Sequence, residues 1–186
     1  MAKVPASTYR LQLHKGFTFD DAAGVVEYLK ALGVSHVYCS PYLQAAPNSM
    51  HGYDVVDHRT VNEELGGAEA HERFCKKLGD VGMGQVLDIV PNHMSLGEQN
   101  RYWWDVLENG TSSRYASFFD IDWNSSEDRL RGKVLVPILA DQYGRVLSDG
   151  GIKIVRQGSS FKVEAAGQSL PVAPESLYGL LNKAAD

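Results

Sequence analysis

Cysteine is scarce in this chain. Its 186 residues hold two, Cys39 and Cys75, each inside an apolar segment. Two thiols so placed read as buried and reduced in a cytoplasmic protein, rather than as a disulfide framework. Long apolar runs are missing too. No stretch approaches the roughly 18 consecutive apolar residues that a membrane span needs. The opening Met1-Ala2-Lys3-Val4-Pro5 has no apolar core, so no secretory leader is expected there. Positive charge is in deficit, with 18 Lys and Arg against 23 Asp and Glu and a formal net charge of −5. No basic stripe exists to neutralise phosphates, which argues against a nucleic-acid partner. Repeats and low-complexity tracts are absent. The remainder is ordinary: 44% hydrophobic and 22% charged residues is the composition of a soluble globular protein. The length suits one domain, or one domain with a small second module.

The first half reads strand, helix, strand, helix, strand. Residues 8–13 alternate in the manner of a strand. Thr18 stands where an N-cap belongs, with Asp20 and Asp21 in the first turn to complement the helix dipole. Residues 19–32 carry Val25, Val26, Leu29 and Leu32 at helical spacing, and Gly33 closes that helix. Residues 34–38 form a short apolar run stopped by Pro41, the mark of a buried strand. A polar connection over 44–65 follows. At about twenty residues it exceeds the usual connection and is expected to be functional. Residues 68–78 predict the second helix and 85–90 the third strand. Strands alternating with helices imply parallel pairing through right-handed crossovers, hence an α/β sheet.

After His93 the rhythm breaks. An aromatic segment holds Tyr102, Trp103, Trp104, Phe118, Phe119 and Trp123. Hairpin-like strands are expected at 133–139, 151–157 and 160–165, with Gly-rich turns between them. A last helix is expected over 175–185. The expected boundary lies near residue 94, with one domain over 1–93 and the other over 94–186.

Polar residues gather at the carboxyl ends of the expected strands. The third strand runs into Asp88 and then Pro91-Asn92-His93; the second leads to the connection holding His51-Gly52-Tyr53-Asp54. In parallel α/β folds the strand carboxyl ends and the loops beyond them form the ligand site. Each residue also has a plainer role. Asp88 in an apolar strand needs a partner if buried, and a structural salt bridge serves as well as a ligand contact. His93 is equally well a satisfied loop histidine, Tyr53 a packing residue beside Gly52, and Trp103-Trp104 core. Asp54, Asp57, His58, Asp88 and His93 have ligand-type atoms but no recognised metal spacing, so neither metal nor cofactor is expected.

Asp88-Ile89-Val90-Pro91-Asn92-His93 resembles the first signature region of the α-amylase superfamily, at the end of barrel strand three. His51-Gly52-Tyr53-Asp54 resembles that superfamily's hallmark after strand two. Ser7-Thr8-Tyr9-Arg10-Leu11-Gln12-Leu13, Phe17-Thr18-Phe19-Asp20-Asp21-Ala22 and Ser40-Pro41-Tyr42-Leu43 look specifically like the maltooligosyltrehalose synthases. The resemblance covers about the first hundred residues. It implies that residues 1–93 are the first three βα units of a TIM (β/α)8 barrel, and that 94–186 are the domain B excursion after strand three. A whole barrel takes about 250 residues, so this one would be incomplete.

Members of that family are (1→4)-α-D-glucan 1-α-D-glucosylmutases, isomerases of trehalose biosynthesis. They convert the reducing-end α-1,4 bond of a maltooligosaccharide to α-1,1 by a double displacement between two carboxyl groups, in a site that excludes water. By the resemblance His93 would hydrogen-bond the 6-hydroxyl of the reacting sugar, and Tyr53 would stack on its ring. His51 would bind the same sugar or steady Tyr53, and Asp88 would support an arginine on strand four. Asp54 has no settled role, and Asn92 matches a calcium ligand of many α-amylases although no calcium is expected here. The family's nucleophile and acid/base lie on later strands. No catalytic residue is therefore expected in this chain, which should be inactive until a second polypeptide supplies the remaining carboxyl-terminal part of the enzyme. The rivals are a fragment of an α-1,4-glucan hydrolase and a carbohydrate-binding module built on Trp103, Trp104 and Tyr53.

Overall fold

Thr18 starts the first helix with a reciprocal cap: its hydroxyl accepts from the Asp21 backbone N–H, and the Asp21 carboxylate accepts from the Thr18 N–H at 2.8 Å. Such a box satisfies two of the four orphan donors at a helix start. The computed structural model describes residues 4–158 and 160–183. Met1 to Lys3 of the opening and the end of the 175–185 helix expectation lie outside them. Two compact units are present, one up to Ser95 and one from Leu96.

In the first unit, strands β1 (Thr8–Leu11), β2 (His36–Cys39) and β5 (Gly84–Leu87) form a parallel sheet in the order β1-β2-β5. Parallel neighbours need a crossover. Helices α1 (Phe19–Gly24) and α2 (Val26–Ala31) supply the first, and α3 (Gly67–Asp80) belongs to the second. The single helix expected over 19–32 is thus two short ones. Gly24 is a weak helix former, and the Val25 N–H turns to Ala22 instead of the carbonyl four residues back. Gly33, at φ +88°, ends α2 as expected, with the Val34 N–H reaching back to Leu29.

One face of the sheet meets these helices. Leu11, Leu13, Val37 and Cys39 pack there against Phe19, Ala22, Val26, Leu29, Ala70, Phe74 and Leu78, all buried. Each large apolar side chain removed from water contributes about 1.5–3 kcal/mol, which is what holds the sheet to its helices. Period-two alternation sends the intervening residues to the other face. The register pairs Arg10 with Tyr38 and Tyr38 with Val86, so Arg10, Tyr38 and, two residues past Val86, Asp88 share that face.

The 44–65 connection is not irregular. It contains an antiparallel hairpin, β3 (Leu43–Ala45) and β4 (Val55–Val61), followed by a 3-10 turn over Glu63–Leu65. The hairpin's irregular register hid it from a period-two reading, because two register shifts fall within β3. The third strand also ends sooner than expected, at Leu87.

The second unit opens with α4 (Arg101–Asn109), a helix the aromatic segment concealed. The Asn100 side chain caps it, accepting from the Tyr102 and Trp103 N–H groups. Residues 133–139 are not a strand. Pro137 has no N–H to give a ladder, and the Ile138 N–H bonds Val136 in a tight turn. Helix α5 (Tyr143–Ser148) follows, then an antiparallel meander of β6 (Ile152–Gln157), β7 (Ser160–Ala165) and β8 (Gln168–Pro171), then α6 (Pro174–Lys183). No helix among the described residues is long and apolar enough to cross a membrane.

Candidate functional site

At the carboxyl ends of the parallel strands, three donors meet on one oxygen. Asp88 Oδ2 accepts from Tyr53 Oη at 2.6 Å, Arg10 at 3.0 Å and Tyr38 Oη at 3.1 Å. Asp88 follows β5, Tyr38 lies in β2, Arg10 in β1, and Tyr53 belongs to the hairpin tip. Four segments far apart in sequence thus share one carboxylate. Arg10 does more than pair with it. Its second terminal nitrogen donates to Tyr53 Oη at 3.0 Å, and its guanidinium lies 4.7 Å above the Tyr38 ring.

The electrostatics follow from this geometry. The Tyr53 hydroxyl, followed by Arg10 and Tyr38, holds the Asp88 carboxyl below the usual carboxylate range, although burial pulls the other way. Asp88 in turn pushes the Tyr53 phenol up, opposed by Arg10. Asp88 therefore stays ionised at neutral pH and is unsuited to deliver a proton. Its place is to hold others.

The hairpin tip carries the other expected residues. Gly52 makes the turn at φ +77°, and a side chain there would have its Cβ 2.0 Å from the Pro41 carbonyl oxygen. Only glycine allows so close an approach at that φ. The Gly52 N–H donates to Ser49 Oγ at 3.0 Å, and the Ser49 hydroxyl also bonds the Asp54 carboxylate. Asp54 is thereby occupied in tying the tip together; His51 Nδ1 lies 3.7 Å from it. His51 Nδ1 accepts from the Tyr53 N–H, and its ring stacks on that of Tyr53 at 6.0 Å. Tyr53 remains 37% exposed, so the site presents an aromatic surface flanked by an imidazole and backed by a fixed charge pair. Such a surface suits a polyhydroxylated ring, whose C–H bonds lie on the aromatic face while its hydroxyls reach polar groups.

His51, Tyr53, Asp54 and Asp88 are brought together. His93 is exposed on the segment beyond Asp88, which β4 helps to anchor through a His58 Nε2 to Val90 carbonyl contact of 2.8 Å and a Ser95 N–H to Val55 bond. The ion pair that could satisfy Asp88 is present, with Arg10. Sequence reasoning missed Arg10, Tyr38, Gln12 and Ser49 as site residues. Arg10 in β1 and Gln12 just beyond its end sit two apart, and the alternate residues, Leu11 and Leu13, are buried. That spacing was the available signal. Among the described residues no three His, Cys, Asp or Glu side chains come together as a metal site.

In the second unit Trp103 is buried and packs edge-on against Phe119, which is core behaviour. Trp104 lines a cleft of about 470 Å³ together with Glu98, Phe161 and Lys162, but the Lys162 ammonium covers its ring at 5.1 Å. Neither indole offers an open platform.

Three comparisons bear on this geometry. A Mycobacterium tuberculosis protein named as a maltooligosyl trehalose synthase is 43% identical over 183 residues, covering 95% of this chain and 22% of that protein. The solved maltooligosyltrehalose synthase of Arthrobacter ramosus is 40% identical, with a TM-score of 0.77, over 91% of this chain and 21% of its own. The intracellular maltogenic amylase of Bacillus subtilis is 36% identical over 104 residues, 54% of this chain and 17% of the amylase. The chain thus spans about a fifth of the length of these relatives. The family model described as the alpha amylase catalytic domain matches residues 15–144, and on that match the chain belongs to the alpha-amylase family.

Proposed function

We propose that the chain is the substrate-positioning part of a maltooligosyltrehalose synthase, acting on the reducing end of a maltooligosaccharide. Residues 1–93 would be the first three βα units of a (β/α)8 barrel and 94–186 its domain B excursion. The observation that carries the reading is the Tyr53 hydroxyl held on Asp88 at the strand ends, because it sets an exposed aromatic face in a defined place. The extent of similarity favours the synthase over a hydrolase: the synthase relative aligns over 95% of the chain and the maltogenic amylase over 54%. The buried Trp103 and the covered Trp104 weigh against a binding module.

In this reading Tyr53 stacks on the sugar whose anomeric carbon reacts, and the negative face of its ring favours an oxocarbenium-like state. His93 and His51 hydrogen-bond hydroxyls of that sugar, while Asp54 fixes the tip. Asp88, with Oδ2 engaged by three donors, keeps Oδ1 for an arginine of a further strand. The attacking carboxylate and the proton donor of the double displacement come from a second polypeptide carrying the rest of the enzyme, and the assembly works in the cytoplasm. The test is maltohexaose incubated with the chain, with and without that polypeptide. The chain alone leaves the sugar unchanged; the mixture removes reducing ends without shortening the oligosaccharide. Growth of reducing sugar in the mixture would mean hydrolysis, and an active chain alone would refute the positioning role.

A further inference from the structure

Arg10 is joined to the site by more contacts than its share of stability explains. Its pair with Asp88 involves side chains 37% and 16% exposed, and a pair so accessible to water adds little to stability. Its geometry is specific all the same. The two terminal nitrogens divide their work, one on Asp88 Oδ2 and one on Tyr53 Oη, each at 3.0 Å. Tyr38 supports the guanidinium from below. Gln12, two residues along the same face, has its side-chain oxygen 3.5 Å from Arg10 and its amide on the Met50 and His51 carbonyls at 3.2 and 3.4 Å. The first strand and the residue just past it therefore grip both the side chain and the backbone of the hairpin tip.

The consequence falls on Tyr53. Its hydroxyl has one proton to donate, which goes to Asp88, and a lone pair that accepts from Arg10. With both roles filled the ring has one orientation. With Arg10 gone, a single bond to a carboxylate of uncompensated charge leaves the ring free to swing about it. We infer that Arg10 is a positioning residue for the sugar platform: its planar fork locks the Tyr53 hydroxyl to Asp88, so that the ring meets a glucose unit preorganised. A fork does this where a point charge does not, since one ammonium cannot direct two coplanar bonds. The inference rests on the sugar-positioning reading above.

The test uses the full chain together with the polypeptide that completes it, as wild type, Arg10→Gln and Arg10→Lys, with Arg73→Gln as a control for a surface pair elsewhere. Two quantities are measured: maltohexaose affinity by calorimetry, and the titration of the Tyr53 phenol by ¹³C NMR of labelled tyrosine, assigned with Tyr53→Phe. Both Arg10 variants are expected to weaken binding about tenfold, the effect of losing one directed interaction, while Arg73→Gln leaves it unchanged. The phenol should titrate higher in Arg10→Gln, because the cation that opposes Asp88 is gone. Wild-type affinity retained in both Arg10 variants overturns the inference, as does a Tyr53 titration unmoved in Arg10→Gln. Maltohexaose failing to bind wild type would sink the sugar reading instead, and the phenol titration would then decide whether Arg10 locks Tyr53.

Discussion

Tyr53 donates to Asp88 Oδ2 at 2.6 Å across 35 residues of sequence, the shortest of the three bonds on that oxygen. Tyr53→Phe removes it while keeping the ring. A hydrogen bond to a charged group contributes about 1.5–3 kcal/mol, but Tyr53 is 37% exposed and water competes, so a loss of about 1 kcal/mol is expected. Urea unfolding of wild type and variant measures it. An unchanged midpoint would mean that the tip is held without this bond.

The same bond gives stability a defined pH window. The Asp88 carboxyl lies below its ordinary value of 3.8 when folded, so the unfolded chain binds that proton more readily. The contribution is complete above pH 3.8 and is lost as pH falls through the lower folded value. The Tyr53 phenol lies above its ordinary 10.0, so its contribution is complete below that and is lost as pH rises through the folded value. The stability gap between wild type and Tyr53→Phe should therefore stay level from about pH 5 to 9 and close under acid. Denaturant midpoints across pH check this; a gap that widens as the solution is acidified below pH 3.8 would show that Asp88 is not its source.

Much of the first unit could be read in advance because its cues are local. The Thr18 cap, Gly33 and the alternation of Leu11 and Leu13 each act within a few residues. Asp88 was legible by position, since it follows a parallel strand, and Tyr53 by its place in the long connection beyond β2. Arg10 and Tyr38 were not, because their meeting depends on the register of β1 against β2, and no local pattern states a register. The 133–139 run misled for a different reason: its apolar residues have strand preference, and one proline outweighs them. In the aromatic segment α4 was hidden because Tyr and Trp favour strands, while the signal that won was the polar Asn100 at its start.

Gly52 and Gly24 should respond to alanine in opposite directions. At Gly52 the new Cβ would fall 2.0 Å from the Pro41 carbonyl oxygen with φ at +77°. Strain and overlap together cost on the order of 3 kcal/mol, and the tip bearing Tyr53 would shift. At Gly24 nothing lies within 4 Å of the added methyl, and alanine in a helix stabilises by about 0.5–1 kcal/mol. Thermal unfolding of both variants separates them. A neutral Gly52→Ala would contradict the turn described here.

Cys39 should be inert while the chain is folded. It is fully buried, and burial pushes its thiol up to about 11, while the Gln85 amide pulls weakly the other way. At pH 8 only about one such thiol in a thousand is ionised, and the thiolate is the reacting form. Cys75 is also raised by burial but is partly accessible, so it should react first with a disulfide reagent such as DTNB. In Cys75→Ala the remaining reaction should be a single slow phase whose rate rises with urea, because Cys39 is reached only when the helices part from the sheet. A fast reaction in native buffer would mean that the core around Val37, Cys39 and Phe74 opens without unfolding.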